Sequence, residues 1–184
     1  MKKRLYTLFL LFSAVTGLVG CSSDDDQNLT SDPVQQLPEA TQVGANTAGA
    51  LVNGEPITPQ GGGISPNIVA FYQLINGEYF FNVGILSSKN GKSKTVRVFA
   101  SENTIINNET YPLNDSGYRG NYSIFSNEGQ SFYYTENDFT GELTITHLDE
   151  TNRIVAGTFW FDAVNDDGEV VEVREGRFDV TYSQ

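Results

Sequence analysis

The chain has 184 residues, with 11 basic and 23 acidic side chains, one cysteine and one histidine. That length suits one domain with a real core. The net charge of −12 speaks against nucleic acid, whose phosphates ask for a basic face, and a lone cysteine excludes an internal disulfide and a cysteine-based zinc site.

The first element in chain order is an export signal. Lys2, Lys3 and Arg4 precede a largely apolar run from Leu5 to Val19. The run is about 15 residues long, short of the roughly 20 that a membrane span needs. Leu18-Val19-Gly20-Cys21 resembles the bacterial lipobox. Residues 1–20 are therefore expected to be removed and Cys21 to carry lipid. Each buried acyl CH₂ contributes about 0.8 kcal/mol, so several chains anchor a protein firmly without a membrane span. Ser22, Ser23, Asp24, Asp25 and Asp26 resemble the acidic tract that follows the lipidated cysteine in surface-exported lipoproteins of the Bacteroidota. That resemblance implies an outer-membrane location facing the cell exterior, with a periplasm-facing orientation as the alternative. Residues 21–46 are poor in large apolar side chains and read as a flexible acidic tether.

Residues 47–184 read as one β domain. Three of the eleven basic residues lie in the signal and none of the 23 acidic ones, so the mature chain carries a net charge of −15. This argues against electrostatic docking on anionic lipid. Tyr, Phe, Val, Ile and Thr fill the apolar runs, and Gly, Asn and Asp separate them. The spacing predicts strands over 47–52, 68–75, 79–87, 93–100, 119–125, 131–135, 139–148, 154–164 and 170–182, with short edge pieces over 55–58 and 105–112. Asn76-Gly77 and Asn90-Gly91 are type I′ hairpin signals. Residues 149–152 and 165–168 close two further hairpins. Sequential hairpins make a single antiparallel meander, and hence a β-barrel or a two-sheet β-sandwich. In the last strand Val171 and Val173 share one parity, while Phe178, Val180 and Tyr182 share the other. Both sets face inward only if a residue is inserted between them. A bulge is predicted at Glu175-Gly176-Arg177, with Gly176 supplying the permissive backbone.

Three segments carry a resemblance. They are Phe139-Thr140-Gly141-Glu142-Leu143-Thr144-Ile145-Thr146 followed by Asp149, then Ile154-Val155-Ala156-Gly157-Thr158-Phe159, then Glu175-Gly176-Arg177-Phe178-Asp179-Val180. Together they resemble an uncharacterised lipoprotein domain family of the Bacteroidota, and residues 45–54 are similar to its opening. The resemblance implies an all-β, lipobox-anchored domain of unknown function. It carries no catalytic or binding residue across.

No motif names a reaction, and no catalytic, cofactor or metal site is expected. His147 is the only histidine, which removes a His-Glu-x-x-His site, and no Gly-x-Ser-x-Gly elbow accompanies it. Asn165-Asp166-Asp167-Gly168-Glu169 puts Ala163 and Arg174 at the first and last ligand positions of an EF-hand, so it reads as a turn. Gly61-Gly62-Gly63 lacks the Lys and Ser or Thr of a phosphate loop. Glu142, Glu169, Glu172 and Glu175 could pair for glycoside hydrolysis, yet acidic residues are common throughout. Trp160 and Tyr133 are the tentative ligand contacts. Trp160 has the opposite parity to Phe159 and Phe161, and an aromatic on a polar sheet face suits sugar stacking or a protein hot spot. If both faces are covered, Trp160 sits in a second core instead. The expectation is a non-enzymatic, surface-anchored binding or accessory module for a glycan, peptide or envelope protein. The alternatives are a glycan-active hydrolase using paired carboxylates and a purely structural envelope component.

Overall fold

A computed structural model describes residues 32–61, 66–114 and 117–184. Cys21 and the tract Ser22 to Asp26 lie outside them, as do Gly62 and Gly63. The strands are Thr47–Val52 (β1), Glu55–Ile57 (β2), Ile68–Ile75 (β3), Glu78–Lys89 (β4), Lys92–Ser101 (β5), Thr110–Leu113 (β6), Tyr118–Ser126 (β7), Gly129–Tyr134 (β8), Gly141–Asp149 (β9), Ile154–Val164 (β10) and Val170–Thr181 (β11). Every predicted strand is present. The hairpin turns follow the Asn-Gly rule: Asn76 and Gly77 have φ of 55° and 90°, and Asn90 and Gly91 have 53° and 73°.

All ladders are antiparallel and join into one sheet of 11 strands, in the order β2-β1-β11-β10-β8-β7-β5-β4-β3. At β10 the sheet branches: its first part pairs with β9, which also holds β6, while Val164 alone pairs with Tyr134 of β8. The meander is as expected, but the sheet is not closed into a barrel. Ser183 makes only an isolated parallel bridge to Phe71 of β3, donating to the Ala70 carbonyl and accepting from the Tyr72 amide. The sheet nevertheless surrounds one core. Phe81, Val98, Leu143, Phe161, Val173 and Val180, from five strands, belong to a single buried cluster. Alternation explains this, because each strand contributes every second residue inward.

Near its middle β11 departs from regular pleating. Phe159 pairs with Gly176 and Phe161 with Val173, so β11 has one residue more than β10 across this step. The same shift recurs against β1, between Gly49 and Leu51. Val171, Val173, Phe178, Val180 and Tyr182 are all buried, as the change of parity requires. The role expected of Gly176 is corrected. Glu175 takes the left-handed conformation, with φ of 53°. Gly176 is glycine for space: a Cβ there would lie 2.5 Å from Cδ2 of Phe159 and 2.6 Å from its carbonyl oxygen.

The tether boundary expected at residue 46 also falls too late. Asp32 caps a 3-10 turn over Pro33–Gln36, Leu37 is buried, and Pro38 and Leu37 cross over Gly49, where a Cβ would meet Pro38 Cδ at 2.9 Å. Asp179 then fixes the strap. Its Oδ2 accepts from Thr41 Oγ1 at 2.6 Å, Val43 N at 2.9 Å and Ala45 N at 3.2 Å, and its Oδ1 accepts from Gly44 N at 2.7 Å. Burial alone would raise the Asp179 pKa and is the largest single influence. The Thr41 hydroxyl and the three amides together outweigh it and hold the carboxyl below its usual value. Asn46 Oδ1 completes the seam by accepting from N and Oγ1 of Thr181. Composition hid this docking because the strap is held by backbone amides on one carboxylate, not by large apolar side chains.

Candidate functional site

Trp160 stands on the outer face of β10, opposite the extra residue of β11, and is 39% exposed. The bulge turns Arg174 towards it, placing the guanidinium carbon 5.6 Å from the centre of the indole. Arg174 is fixed by donating to the carbonyls of Phe161 (3.1 Å) and Val173 (2.9 Å) and to Asp162 Oδ1 (2.7 Å). On the other side, Trp160 Nε1 donates to Glu142 Oε2 at 3.2 Å. Arg177 pairs with Glu175 at 2.9 Å. These groups border a cleft of about 570 Å³, which Thr144, Thr158 and Ala40 of the strap also line.

Such exposed pairs contribute little to stability, about 0–1 kcal/mol each, and a solvent-exposed cation–π contact about 0.5–1 kcal/mol. Their chemical consequence is larger. An apolar ring is held at a fixed angle by Glu142 and Arg174, and hydroxyl, carboxylate and guanidinium groups surround it. The scaffold is rigid sheet, so the site is preformed. It offers a platform for a flat apolar surface and hydrogen bonds for polar groups around that surface.

Tyr133 does not join this site, which corrects its expected role. It is 6% exposed, its ring centre lies 5.7 Å from that of Tyr122, and its hydroxyl donates to Glu169 Oε2 at 3.1 Å. Burial first, and then Glu169, raises its pKa. In Phe132-Tyr133-Tyr134 three aromatics in a row hide the alternation; pairing with the inward Tyr122 decides that Tyr133 faces the core. Phe132 and Tyr134 therefore point outward, and Phe132 meets Phe125 edge-on at 5.4 Å. Sequence alone does not single out these exposed aromatics. Their signal was the parity of β8 relative to β7.

The remaining candidates separate. Glu142 and Glu175 both border the Trp160 cleft, while Glu169 binds Tyr133 and Glu172 lies 3.8 Å from Arg174. His147 lies half-buried on β9 opposite Ala156. The 165–169 segment is a turn: Asn165 Oδ1 accepts from the amides of Asp167 and Glu169, so the oxygen a cation would need is committed to backbone.

Fold and site together define an all-β domain, one antiparallel sheet around a single core with an aromatic cleft on its outer face. Residues 85–180 match a family described as Domain of unknown function (DUF6252). The match spans just over half of the chain, and the chain belongs to this family. It begins within β4 and takes in the strands of the Trp160 cleft, but not the strap or β1 to β3. No curated protein and no solved structure matches the chain.

Proposed function

We propose that this protein is a lipid-anchored binding module of a Bacteroidota outer membrane, facing the cell exterior, that holds a polar ligand against Trp160 without transforming it. The observation that carries the reading is the half-exposed indole, fixed between Glu142 and Arg174 in a cleft of about 570 Å³. A sugar ring fits this chemistry best. Its C–H face lies on the indole, and its hydroxyls meet Glu142, Arg177 and the two threonines. The lipobox at Cys21 and the acidic tract from Ser22 to Asp26 support the location. Among the described residues no helix is long and apolar enough to cross a membrane.

The reading is tested by affinity electrophoresis of the mature chain in gels containing a soluble neutral polysaccharide, with xyloglucan, galactomannan and arabinoxylan as probes. Retardation by at least one, lost in Trp160→Ala and kept in Phe132→Ser, is the expected result. Migration unchanged in all three gels, or equal retardation of Trp160→Ala, defeats the proposal.

A further inference from the structure

The lysines of the mature chain stand together. Lys89, Lys92 and Lys94 are the only ones after residue 20. All three border one cleft of about 680 Å³ between the β4–β5 hairpin and β2, with Gln60 and Gln36 on its walls. The arrangement follows from strand alternation. On β4 the core-facing positions run Phe81, Val83 and Ile85, then Ser87 and Lys89; on β5 they run Ala100, Val98 and Val96, then Lys94 and Lys92. The stripe keeps to one face of the sheet as the hairpin passes the edge of the core, and there its chemistry changes from apolar to cationic.

Among the described residues the cluster is relieved at Lys94 alone. Lys89 and Lys92 are direct cross-strand partners, a position in which like charges oppose pairing. Among the described residues one carboxylate answers the three: Glu55 Oε2 meets Lys94 Nζ at 2.9 Å. That hydrogen bond first, then the charges of Lys94 and Lys92, holds Glu55 below its usual pKa. Lys89 and Lys92 form no ion pair among the described residues. The far wall is fixed, because Gln60 accepts from the Ser88 amide at 2.6 Å and donates to the Leu86 carbonyl at 3.2 Å. The overall charge of −15 conceals this end of the molecule, where three lysines and one glutamate leave an excess of two positive charges.

We propose that this cleft binds a phosphate or sulfate oxyanion carried on a polar ligand, with Lys89 and Lys92 as its point-charge anchors. Ammonium groups serve such oxyanions as mobile point charges. The cleft is wide enough for the group that bears the anion. A free phosphorylated or sulfated sugar and an anionic lipid headgroup present the same chemistry. Gln36 follows Cys21 by about 15 residues, which span at most roughly 50 Å. Headgroups are thus within reach on the reading of Cys21 as the anchor.

The test uses the mature chain from residue 22, which holds every described residue and no acyl group. Inorganic phosphate is titrated against it at constant ionic strength, with chloride as the control, and amide shifts are read by NMR. A saturable response of residues 89–94 to phosphate but not chloride is expected. It should weaken at least tenfold in the Lys89→Gln/Lys92→Gln double variant and strengthen several-fold in Glu55→Gln. Sedimentation with vesicles of phosphatidylcholine, with and without phosphatidylglycerol, separates the sources. Binding to the anionic vesicles that the double variant loses assigns the headgroup. A phosphate response without vesicle binding assigns a free ligand. Either supports the site. No response to phosphate and no vesicle binding, or an unchanged response in the double variant, overturns it. Trp160 is intact in every variant, so this result stands or falls apart from the Trp160 reading.

Discussion

Asp179→Asn should release the strap. The carboxylate serves four donors, three on Oδ2 and one on Oδ1. An asparagine offers a single acceptor oxygen. With that oxygen at the Oδ2 position, the new NH₂ group faces the Gly44 amide, which sits 2.7 Å from Oδ1 in the wild type. One charge-assisted bond, about 1.5–3 kcal/mol, is replaced by a donor–donor conflict, and the other three bonds become neutral and weaker by about 1 kcal/mol each. Relief from burying a charge offsets part of this. A net loss of about 3 kcal/mol is expected, which for a domain of this size lowers Tm by roughly 6–12 °C. The pH dependence has a fixed sign. Asp179 is held below its usual pKa in the folded state. Its contribution is therefore present above the ordinary carboxylate value and is lost as pH falls through the lowered one. Thermal melts followed by circular dichroism between pH 2 and 7 measure both effects. The variant should be less stable at pH 7 and should lose less on acidification. A loss under about 0.5 kcal/mol, or an unaltered acid slope, would show that the strap is not held by this carboxylate.

Three further outcomes are expected. Gly176→Ala places a methyl 2.5 Å from the Phe159 ring and 2.6 Å from its carbonyl oxygen, and should cost about 3 kcal/mol, whereas Gly168→Ala, with φ of 81° and open space around it, should cost about 1 kcal/mol; comparable urea midpoints for the two would contradict the packing assigned to the bulge. Phe161→Ala, fully buried, should lose about 3–5 kcal/mol in the same urea titration, and a loss under 1 kcal/mol would mean that the single core is wrongly drawn. Replacing Asp24, Asp25 and Asp26 by Ala should leave the fold unchanged but protect the protein from protease added to intact cells; equal cleavage of both forms would remove the argument for surface export.

What could be read from sequence and what could not follows one division. Strands 47–52, 68–75 and 154–164 have the predicted limits, because each apolar run is ended by an Asn-Gly or Asp-rich turn that leaves little freedom. The bulge was legible because Val173 and Phe178 cannot both face inward on a regular strand. Which residue bends was not: the positive φ falls on Glu175, and Gly176 answers to a ring that pairing alone brings near. The side of Tyr133 is hidden in the sequence because its neighbours are equally aromatic, and only its partner on β7 fixes it. The strap has the composition of a tether because its contacts are amide hydrogen bonds to a residue more than 130 positions away. Composition registers local character, whereas these features depend on which distant residue lies opposite.

Trp160 is the only tryptophan in the chain, so its emission reports on the proposed cleft alone. The decisive measurement is a fluorescence titration of the mature chain with oligosaccharides of whichever polysaccharide retards it in the gel. Stacking of a sugar on the indole should produce a saturable change in emission. Its half-point should match the affinity from calorimetry and should shift to higher concentration in Glu142→Gln. Calorimetric binding with no change in emission would place the ligand elsewhere on the molecule and contradict the account.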